Sequence, residues 1–290
     1  MVEVARTAED LGYHSVWTFQ RLAYPADPAS SAQPGQWPSV YRSVHDPLVT
    51  LAFLAAHTSR VRLGVAVVNM PWYSPLLLAK MATTLDAVSD GRLDLGLGLG
   101  WASEEYAATG APSTDRGPRA EEFVQALTAI WTQDQVDVSG RYHELHGVRV
   151  DPKPVQRPHP PVLLGGGADA ALRRAGRLSD GWISGSAAEL SSIGRSIAVV
   201  AEGARDADRD PTALRHVCRA VVRVRPAGAV DRRPMSGSYD EIRADLAMLA
   251  AHGATEAFVD LNFDSRVGSP DVDPAASMRH AHEVLEALAP

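Results

Sequence analysis

Short apolar segments typical of β-strands alternate with helix-like segments along almost the whole 290-residue chain. This alternation favours a parallel sheet, because parallel neighbours need a long crossover connection and a helix supplies it. The predicted strands are centred near residues 15, 64, 96, 163, 183, 219 and 259. Between them the sequence predicts a loop over 101–118, two short extended pieces at 136–138 and 148–150, and a helix over about 187–207. The pattern predicts an α/β fold, a (β/α)8 TIM barrel whose first strand is missing from this chain, because the chain opens on a helix over residues 2–11.

The predicted barrel is a single domain over residues 1–290, since a chain of this length fits one α/β barrel. A barrel that lacks its first strand would expose two unpaired parallel edges. We therefore expect either that the true N-terminus lies upstream of Met1 and supplies the strand, or that a partner or a loop covers the gap.

The stretch 89–101 combines a turn, a strand and several glycines. Its leucines recur at every second position, which is the period of a β-strand. A dinucleotide fingerprint that began at Gly96 would need glycine at position 101, where Trp101 stands instead. Glycine inside a strand usually marks a close approach of another group to the backbone. We expect Gly96 and Gly98 to permit close packing inside the barrel.

Composition and charge argue against several classes of function. The formal net charge is −7 and no basic run is present, which argues against a nucleic-acid partner. The sequence contains no long uncharged apolar span that would predict a membrane helix. The single cysteine, Cys218, fits a reducing compartment, so we expect a cytoplasmic protein. The segment 143–146 lacks the spacing of a zinc motif, and no metal site is predicted.

A series of short motifs extends over most of the chain. They lie at 8–12 with 15–17, 46–48, 62–67, 78–80 with 84–86, 89–101 with Glu104 and Glu105, 152–156 with Pro160 and Pro161, 165–166, and 180–182. In these motifs and their order the chain resembles the bacterial luciferase-like (luciferase-like monooxygenase) superfamily, a group of TIM-barrel oxidoreductases that use flavin or deazaflavin cofactors. The motifs lean towards the branch that depends on coenzyme F420, and they do not specify a substrate.

The resemblance implies that a tricyclic flavin ring lies across the carboxyl ends of the strands, where TIM barrels hold their active sites. It also implies a bulge with a non-prolyl cis peptide at Ala66–Val67 that supports one face of the ring; the alternative is a plain buried strand. The cofactor-binding residues expected in this part of the chain are Ala66, Val67, Asn69, Leu99, Gly100, Trp101 and Glu104. At Gly100 the alternative is a tight turn with nothing bound.

A run of small residues leads from a predicted strand into a helix; it consists of Gly165, Gly166, Gly167 and Ala168. The backbone N–H groups and the helix dipole at such a junction suit an anion. We interpret the run as a cradle for the phosphate of the flavin or deazaflavin tail. The alternative is a helix cap by Asp169.

Two departures from the superfamily leave the acid–base chemistry unassigned. Many deazaflavin-dependent members carry Asp-His where this chain has Gln20 and Arg21, and sugar-phosphate dehydrogenase members carry Glu where it has Trp101. Neither Gln nor Arg serves as a general base near neutral pH. The catalytic residues are therefore unknown, with Gln20, Trp101 and His45 kept as candidates. The mouth loops also hold possible proton donors, each of which is alternatively a packing or surface residue: Tyr24, Tyr41, His45 and Tyr73.

Together, the residues and the resemblance predict an F420-dependent oxidoreductase that moves a hydride between the deazaflavin and a small organic substrate. Reduction of a C=C, C=N or activated carbonyl bond fits the missing acid–base pair best. Two alternatives stay open, an FMN-dependent luciferase-like monooxygenase that uses O₂ and a non-catalytic flavin-binding protein. The resemblance also implies a homodimer. The substrate and the direction of the reaction are not determined.

Overall fold

The computed structural model describes residues 1–33 and 35–290 as a barrel of parallel strands surrounded by helices. The strands are β1 Ser15–Thr18, β2 Arg62–Asn69, β3 Leu93–Gly98, β4 Val136–Ser139, β5 Glu144–Val148, β6 Val162–Gly165, β7 Gly181–Ile183, β8 Arg215–Val221, β9 Arg223–Val224, β10 Ser236–Gly237 and β11 Glu256–Asp260. The helices are α1 Val2–Asp10, α2 Pro47–Ala55, α3 Pro75–Val88, α4 Ser103–Thr109, α5 Arg116–Thr132, α6 Asp169–Leu178, α7 Ile193–Arg205, α8 Tyr239–Ala251 and α9 Pro274–Ala287. Within the described residues, none of these helices offers the apolar length that a bilayer crossing requires.

The main sheet has the order β1-β2-β3-β6-β7-β8-β11, and every neighbouring pair in it is parallel. Each predicted strand is present at its predicted place, so the α/β barrel that lacks its first strand is confirmed. The sheet curves until β1 and β11 approach each other without pairing. The gap expected from the sequence therefore lies between these two strands.

Side chains from both edges of the sheet bridge this gap. Trp17 on β1 stacks on Phe258 of β11, with ring centroids 5.0 Å apart and an interplanar angle of 17°. The two rings pack on a buried apolar cluster inside the barrel, formed by Ala66, Leu163, Ile183 and Val217. Partial burial of these two large aromatic side chains stabilises the barrel across the gap without backbone hydrogen bonds between β1 and β11.

Three predictions of local structure were wrong. The stretch 101–118, predicted as a loop, contains α4, which is too short for its apolar period to stand out in the sequence. The extended piece predicted at 148–150 lies earlier, as β5, and pairs antiparallel with β4. The helix predicted from residue 187 begins at Ile193, after a loop and a short 3₁₀ turn.

The two faces of β3 differ in the way its alternation predicts. Its leucines belong to the core beneath the helices, whereas Asp94, Gly96 and Gly98 point into the barrel. A Cβ atom on Gly96 would lie 2.1 Å from the carbonyl oxygen of Val65 on β2. The prediction that these glycines permit close packing is therefore confirmed.

An ion-pair network fills the amino-terminal end of the barrel. The fully buried Asp94 carboxylate pairs with Arg62 and with Arg215, each at 2.7 Å, and Arg215 also pairs with Glu256 at 2.6 Å. Burial by itself raises the pKa of Asp94, but hydrogen bonds from the two guanidinium groups outweigh it and hold that pKa below its usual value. This packed end leaves the carboxyl end of the barrel as the open one.

Candidate active site

A bulge on β2 shapes the carboxyl end of the barrel. The register with β3 shifts between Val65 and Val68, and the Ala66–Val67 peptide between them is cis, as the resemblance implied. Within the bulge Ala66 is buried, whereas Val67 keeps part of its side chain exposed at the mouth.

The Val67 side chain rests on bare backbone from two neighbouring strands. A Cβ atom on Gly98 would lie 2.4 Å from Val67 Cγ2, and one on Gly165 would lie 3.3 Å from Val67 Cγ1. Any larger residue at position 98 would therefore displace Val67. We call Val67 with Gly96, Gly98 and Gly165 the mouth floor: Val67 is its partly exposed apolar side chain, and the glycines give that side chain room at the end of the barrel that TIM barrels use for binding.

Arg219 on β8 reaches across the mouth towards this floor. Its Nη1 donates to the carbonyl oxygen of Ala66 at 3.3 Å, and its Nε donates to Asp260 on β11 at 2.6 Å. The rings of Phe19 and Phe263 lie 5.4 and 5.6 Å from the guanidinium carbon. Sequence reasoning missed Arg219 and Asp260, although a charged residue inside each of two apolar strands was a usable signal.

Gln20, a candidate catalytic residue, acts as a clamp between strand ends. Its Oε1 accepts from the backbone N–H of Asn69 at 2.9 Å, and its Nε2 donates to the hydroxyl of Tyr73 at 2.7 Å. The Gln20 side chain is 2% exposed. Because both polar atoms of Gln20 are engaged, it joins the ends of β1 and β2. Asn69, predicted to bind the cofactor, uses its backbone N–H in this clamp.

The long loop over residues 20–46 encloses a buried cation. The guanidinium carbon of Arg21 lies 5.8 Å from the ring of Trp37, 5.2 Å from that of Tyr41 and 4.8 Å from that of Trp101. We call these three rings the aromatic box. The Trp101 carbonyl also accepts from the side chain of Gln33 in the loop. The structure therefore places Trp101 beneath this loop, in contact with Arg21.

The helix α4, which the sequence did not predict, holds this loop in place. The fully buried Glu105 accepts from the backbone N–H groups of Leu22 and Ala23 at 2.6 and 3.3 Å, and it lies 3.4 Å from Arg21. Burial lowers the pKa of Arg21, and the Glu105 carboxylate opposes that effect. The neighbouring Glu104, predicted to bind the cofactor, accepts from Ala32 of the loop.

In the run of small residues before α6, Gly165 is half-buried and the next three residues are exposed, as a phosphate cradle requires. Gly166 has φ +140°, a conformation that favours glycine, and a Cβ atom on Gly167 would meet no atom within 4 Å. Ala168 is the N-cap and has no polar side chain to cap the first turn. Asp169 is the first helical residue and pairs with Arg195 at 2.9 Å, so the alternative of a helix cap by Asp169 is wrong.

Leu99 and Gly100, which directly follow β3, lie against the loop after β2 and the start of α5. A Cβ atom on Gly100 would lie 3.2 Å from the ring of Trp72. The Gly100 carbonyl oxygen accepts a hydrogen bond from Arg116 on α5 at 3.4 Å. Leu99 lines a cavity of about 280 Å³ between α5 and the loop after β2, together with Tyr73 and Arg116.

The other predicted side chains are scattered. His45 is exposed, and within residues 1–33 and 35–290 its side chain makes no hydrogen bond or ion pair. Tyr24 donates to the carbonyl oxygen of Trp37, and Tyr41 belongs to the aromatic box. The structure therefore brings Ala66, Val67 and Gly165 together at the mouth, whereas His45 is an exposed loop residue.

The family profile described as "Luciferase-like monooxygenase" matches residues 1–264. The chain is 31% identical over 219 residues to the F420-dependent glucose-6-phosphate dehydrogenase of Amycolatopsis mediterranei, a match that covers 72% of this chain and 60% of that enzyme. It is 37% identical over 139 residues to the FMNH(2)-dependent dimethylsulfone monooxygenase of Pseudomonas putida, covering 47% of this chain and 38% of that enzyme. The matched stretches span about half the length of the curated relatives.

A solved structure shares the fold of the whole chain. It is the coenzyme F420 dependent tetrahydromethanopterin reductase of Methanopyrus kandleri, which superposes with a TM-score of 0.76 over 99% of this chain and 92% of the other, at 16% identity. Identity this low shows the common fold alone.

Proposed function

The chain belongs to the luciferase-like monooxygenase family, whose relatives include F420-dependent oxidoreductases and FMNH2-dependent monooxygenases, and we propose that this protein is an F420-dependent oxidoreductase. It would transfer a hydride between the deazaflavin and a small organic substrate, with reduction of a C=C, C=N or activated carbonyl bond. The observation that carries the proposal is the mouth floor, because Val67, packed on the bare glycines beneath it, offers an apolar support on which a tricyclic ring could lie.

The residues around the floor fit such a cofactor. Gly166 and Gly167 leave open backbone beside the uncapped first turn of α6, which suits the phosphate of the cofactor tail. The loop over residues 20–46 excludes water from the side of the mouth where Arg21 and Trp101 lie. The bound reduced deazaflavin would supply the hydride.

Tyr73 is our candidate proton donor. It accepts a hydrogen bond from the Gln20 amide, so its own O–H is free to donate. Burial, helped by the negative charge of Asp46, raises the pKa of Tyr73, which keeps the phenol protonated near neutral pH. A proton from this hydroxyl or from water would complete the reduction that the hydride begins.

Two other functions remain in competition. The FMNH2-dependent relative supports an FMN-dependent monooxygenase that uses O₂, although it matches less of the chain than the F420-dependent relative does. A non-catalytic flavin-binding protein is supported by Gln20 and Arg21, which stand where many deazaflavin-dependent members carry Asp-His. Gln20 is a hydrogen-bonded clamp, and Arg21 lies in the aromatic box.

Cofactor titration separates these functions. The protein is titrated with F420 and with FMN while the fluorescence of its tryptophans is followed, and turnover is then measured on enone and imine substrates. We expect F420 to bind at least about tenfold more tightly than FMN and to support reduction. Tight binding of FMN alone would favour the monooxygenase, and F420 binding without turnover would favour the non-catalytic protein.

A matched pair of variants tests whether the cofactor lies on the mouth floor. Val67→Glu puts a charge on the floor, whereas Val155→Glu puts the same charge on an exposed site near the opposite end of the barrel. We expect only Val67→Glu to weaken F420 binding, by about tenfold or more. Equal effects of the two variants would contradict the assignment.

The proposal takes residues 1–290 as one domain that acts in the cytoplasm, where the buried thiol of Cys218 stays reduced. It also includes a homodimer. Support for the dimer comes from exposed apolar side chains on α2 and α3, where Val49 is 66%, Phe53 51% and Leu77 54% exposed. Light scattering in solution measures the mass, and a monomer at all concentrations would remove the dimer from the proposal.

A further inference from the structure

A second cavity opens beside the mouth, between the loop after β7 and the end of β8. It has a volume of about 210 Å³. Its wall includes Arg219 and Arg223 from the β8–β9 region, Arg233 from the segment before β10, and Glu189 from the loop after β7. No sequence motif pointed to this cavity, because its walls come from segments that are far apart in the chain.

The wall of this cavity keeps an excess of positive charge. Arg219 is paired with Asp260, but in the described part of the chain neither Arg223 nor Arg233 has a carboxylate partner within 4.0 Å. Glu189 is the acidic residue of the wall. Its carboxylate accepts hydrogen bonds from the backbone N–H and from the hydroxyl group of Ser191. The charge of Arg233 also acts on Glu189 and on Asp231, and Asp231 is itself paired with Arg225. Around the cavity four guanidinium groups therefore face three carboxylates, so one positive charge remains in excess and the cavity favours an anion.

Arg219 connects this cavity with the mouth floor. The same guanidinium that lines the cavity donates to the carbonyl oxygen of Ala66, directly before Val67 in the floor. Its hydrogen bond to Asp260 and its contacts with two aromatic rings hold it in that position. A molecule whose reacting part lay on the floor would therefore extend its other end past Arg219 into the cavity.

We propose that this cavity binds the anionic group, a carboxylate or a phosphate, of the substrate. Pockets that enclose drug-sized ligands measure roughly 300–1,000 Å³, so this smaller cavity suits an anionic group and a few attached atoms and excludes a tricyclic ring. The inference rests on the proposed function, because it assumes that the floor carries the reaction. The proposed substrate class is thus small organic acids or phosphate esters with a reducible bond.

Anion binding to the cofactor-free protein tests the site directly. Inorganic phosphate and succinate are titrated by calorimetry at constant ionic strength into the wild type and into the double variant Arg223→Gln/Arg233→Gln. The matched control is Arg225→Gln, since Arg225 lies in the same region but pairs with Asp231 and is outside the wall. We expect the double variant to lose at least about tenfold in anion affinity and the control to keep it.

Cofactor titration and turnover distinguish the source of the anion. If the cavity binds the substrate, the double variant binds F420 with the affinity of the wild type. The wild type then has a higher kcat/KM for an enone acid than for its methyl ester, and the double variant loses this difference. Equal weakening of F420 and phosphate binding would assign the cavity to the cofactor tail and overturn the inference. Unchanged phosphate and succinate affinity in the double variant would also overturn it. If the wild type binds neither F420 nor FMN, the proposed function is wrong. The cavity is then not a substrate site, even if the two arginines are shown to bind phosphate.

Discussion

Arg219 on β8 donates a hydrogen bond across the barrel mouth to the carbonyl oxygen of Ala66 on β2, at 3.3 Å. The two residues are 153 positions apart in the chain. This contact joins opposite sides of the barrel at its open end, next to the mouth floor. Since Arg219 is 9% exposed and Asp260 only 3%, the ion pair that orients the guanidinium is shielded from water.

Arg219→Met is expected to destabilise the protein strongly, because it leaves the buried Asp260 carboxylate without its partner. Removal of one member of a buried ion pair costs about 3–5 kcal/mol. Urea unfolding measures the loss. The double variant Arg219→Met/Asp260→Asn removes the unpaired charge and should recover part of the stability. A double variant as unstable as the sum of both single variants would contradict this account.

Gly167→Ala is expected to weaken cofactor binding about tenfold while the melting temperature stays unchanged. The added methyl group meets no protein atom within 4 Å, so any loss arises from the ligand that approaches this backbone. Fluorescence titration with F420 measures the affinity. Gly185→Ala, at the end of the next strand, also meets no atom within 4 Å and serves as the control. Equal weakening by both variants would be inconsistent with a phosphate cradle before α6.

Glu105→Gln is expected to open the loop over residues 20–46. The substitution removes the carboxylate that faces Arg21 in the aromatic box and leaves a buried guanidinium without a counter-charge. Limited trypsin digestion measures the opening as the rate of cleavage after Arg42. That rate should rise about tenfold if the substitution lowers the free energy that holds the loop closed by ~1.4 kcal/mol. Glu104→Gln is the control, because Glu104 accepts a loop N–H at a more exposed site. The idea fails if both variants are cleaved alike.

His216 is expected to make the protein less stable in mild acid. Burial lowers the pKa of His216 below its ordinary value of 6.5, and within the described residues its Nδ1 has no hydrogen-bond partner. Its contribution to stability is complete above pH 6.5 and is lost as the pH falls towards the lowered folded-state pKa, because the unfolded chain takes up the proton first.

Thermal melts at about pH 7.5 and about pH 5.5 measure this effect on either side of the ordinary histidine pKa. His216→Gln should show a smaller fall in melting temperature between the two conditions than the wild type does. His146→Gln, on an exposed strand of the β4–β5 hairpin, should behave as the wild type. An unchanged fall in His216→Gln would show that other groups govern the acid sensitivity.

Local patterns predicted most of the fold. The strands of the barrel and the gap between β1 and β11 followed from apolar periodicity and from the helix that opens the chain. The inward glycines of β3 were recognisable because glycine inside a strand indicates a close neighbour. The short helix α4 was missed, since seven residues give less than two full turns of periodic signal.

Resemblance, and not periodicity, placed Ala66 and Val67 at the bulge, and the structure confirms the cis peptide there. The phosphate cradle at Gly165–Gly167 was interpreted from a glycine run that leads into a helix, and it stays a prediction. That Trp101 faces the cofactor stays a prediction. Its contact with Arg21 could not be foreseen, because no local pattern predicts the fold of the loop that carries Arg21. His45 lies on the same loop, and the structure leaves it exposed.

The sequence by itself determined the order of the strands, their parallel direction and the end of the barrel that carries the mouth, because each of these depends on residues close together in the chain. Only the tertiary structure decided which charges meet there. Strand alternation indicates that Arg219 points inward, but its partners on β2 and β11 depend on how far the sheet curves. The pairing of Arg21 with Glu105, and the cavity that Arg223 and Arg233 share, likewise depend on distances through space that no local pattern encodes.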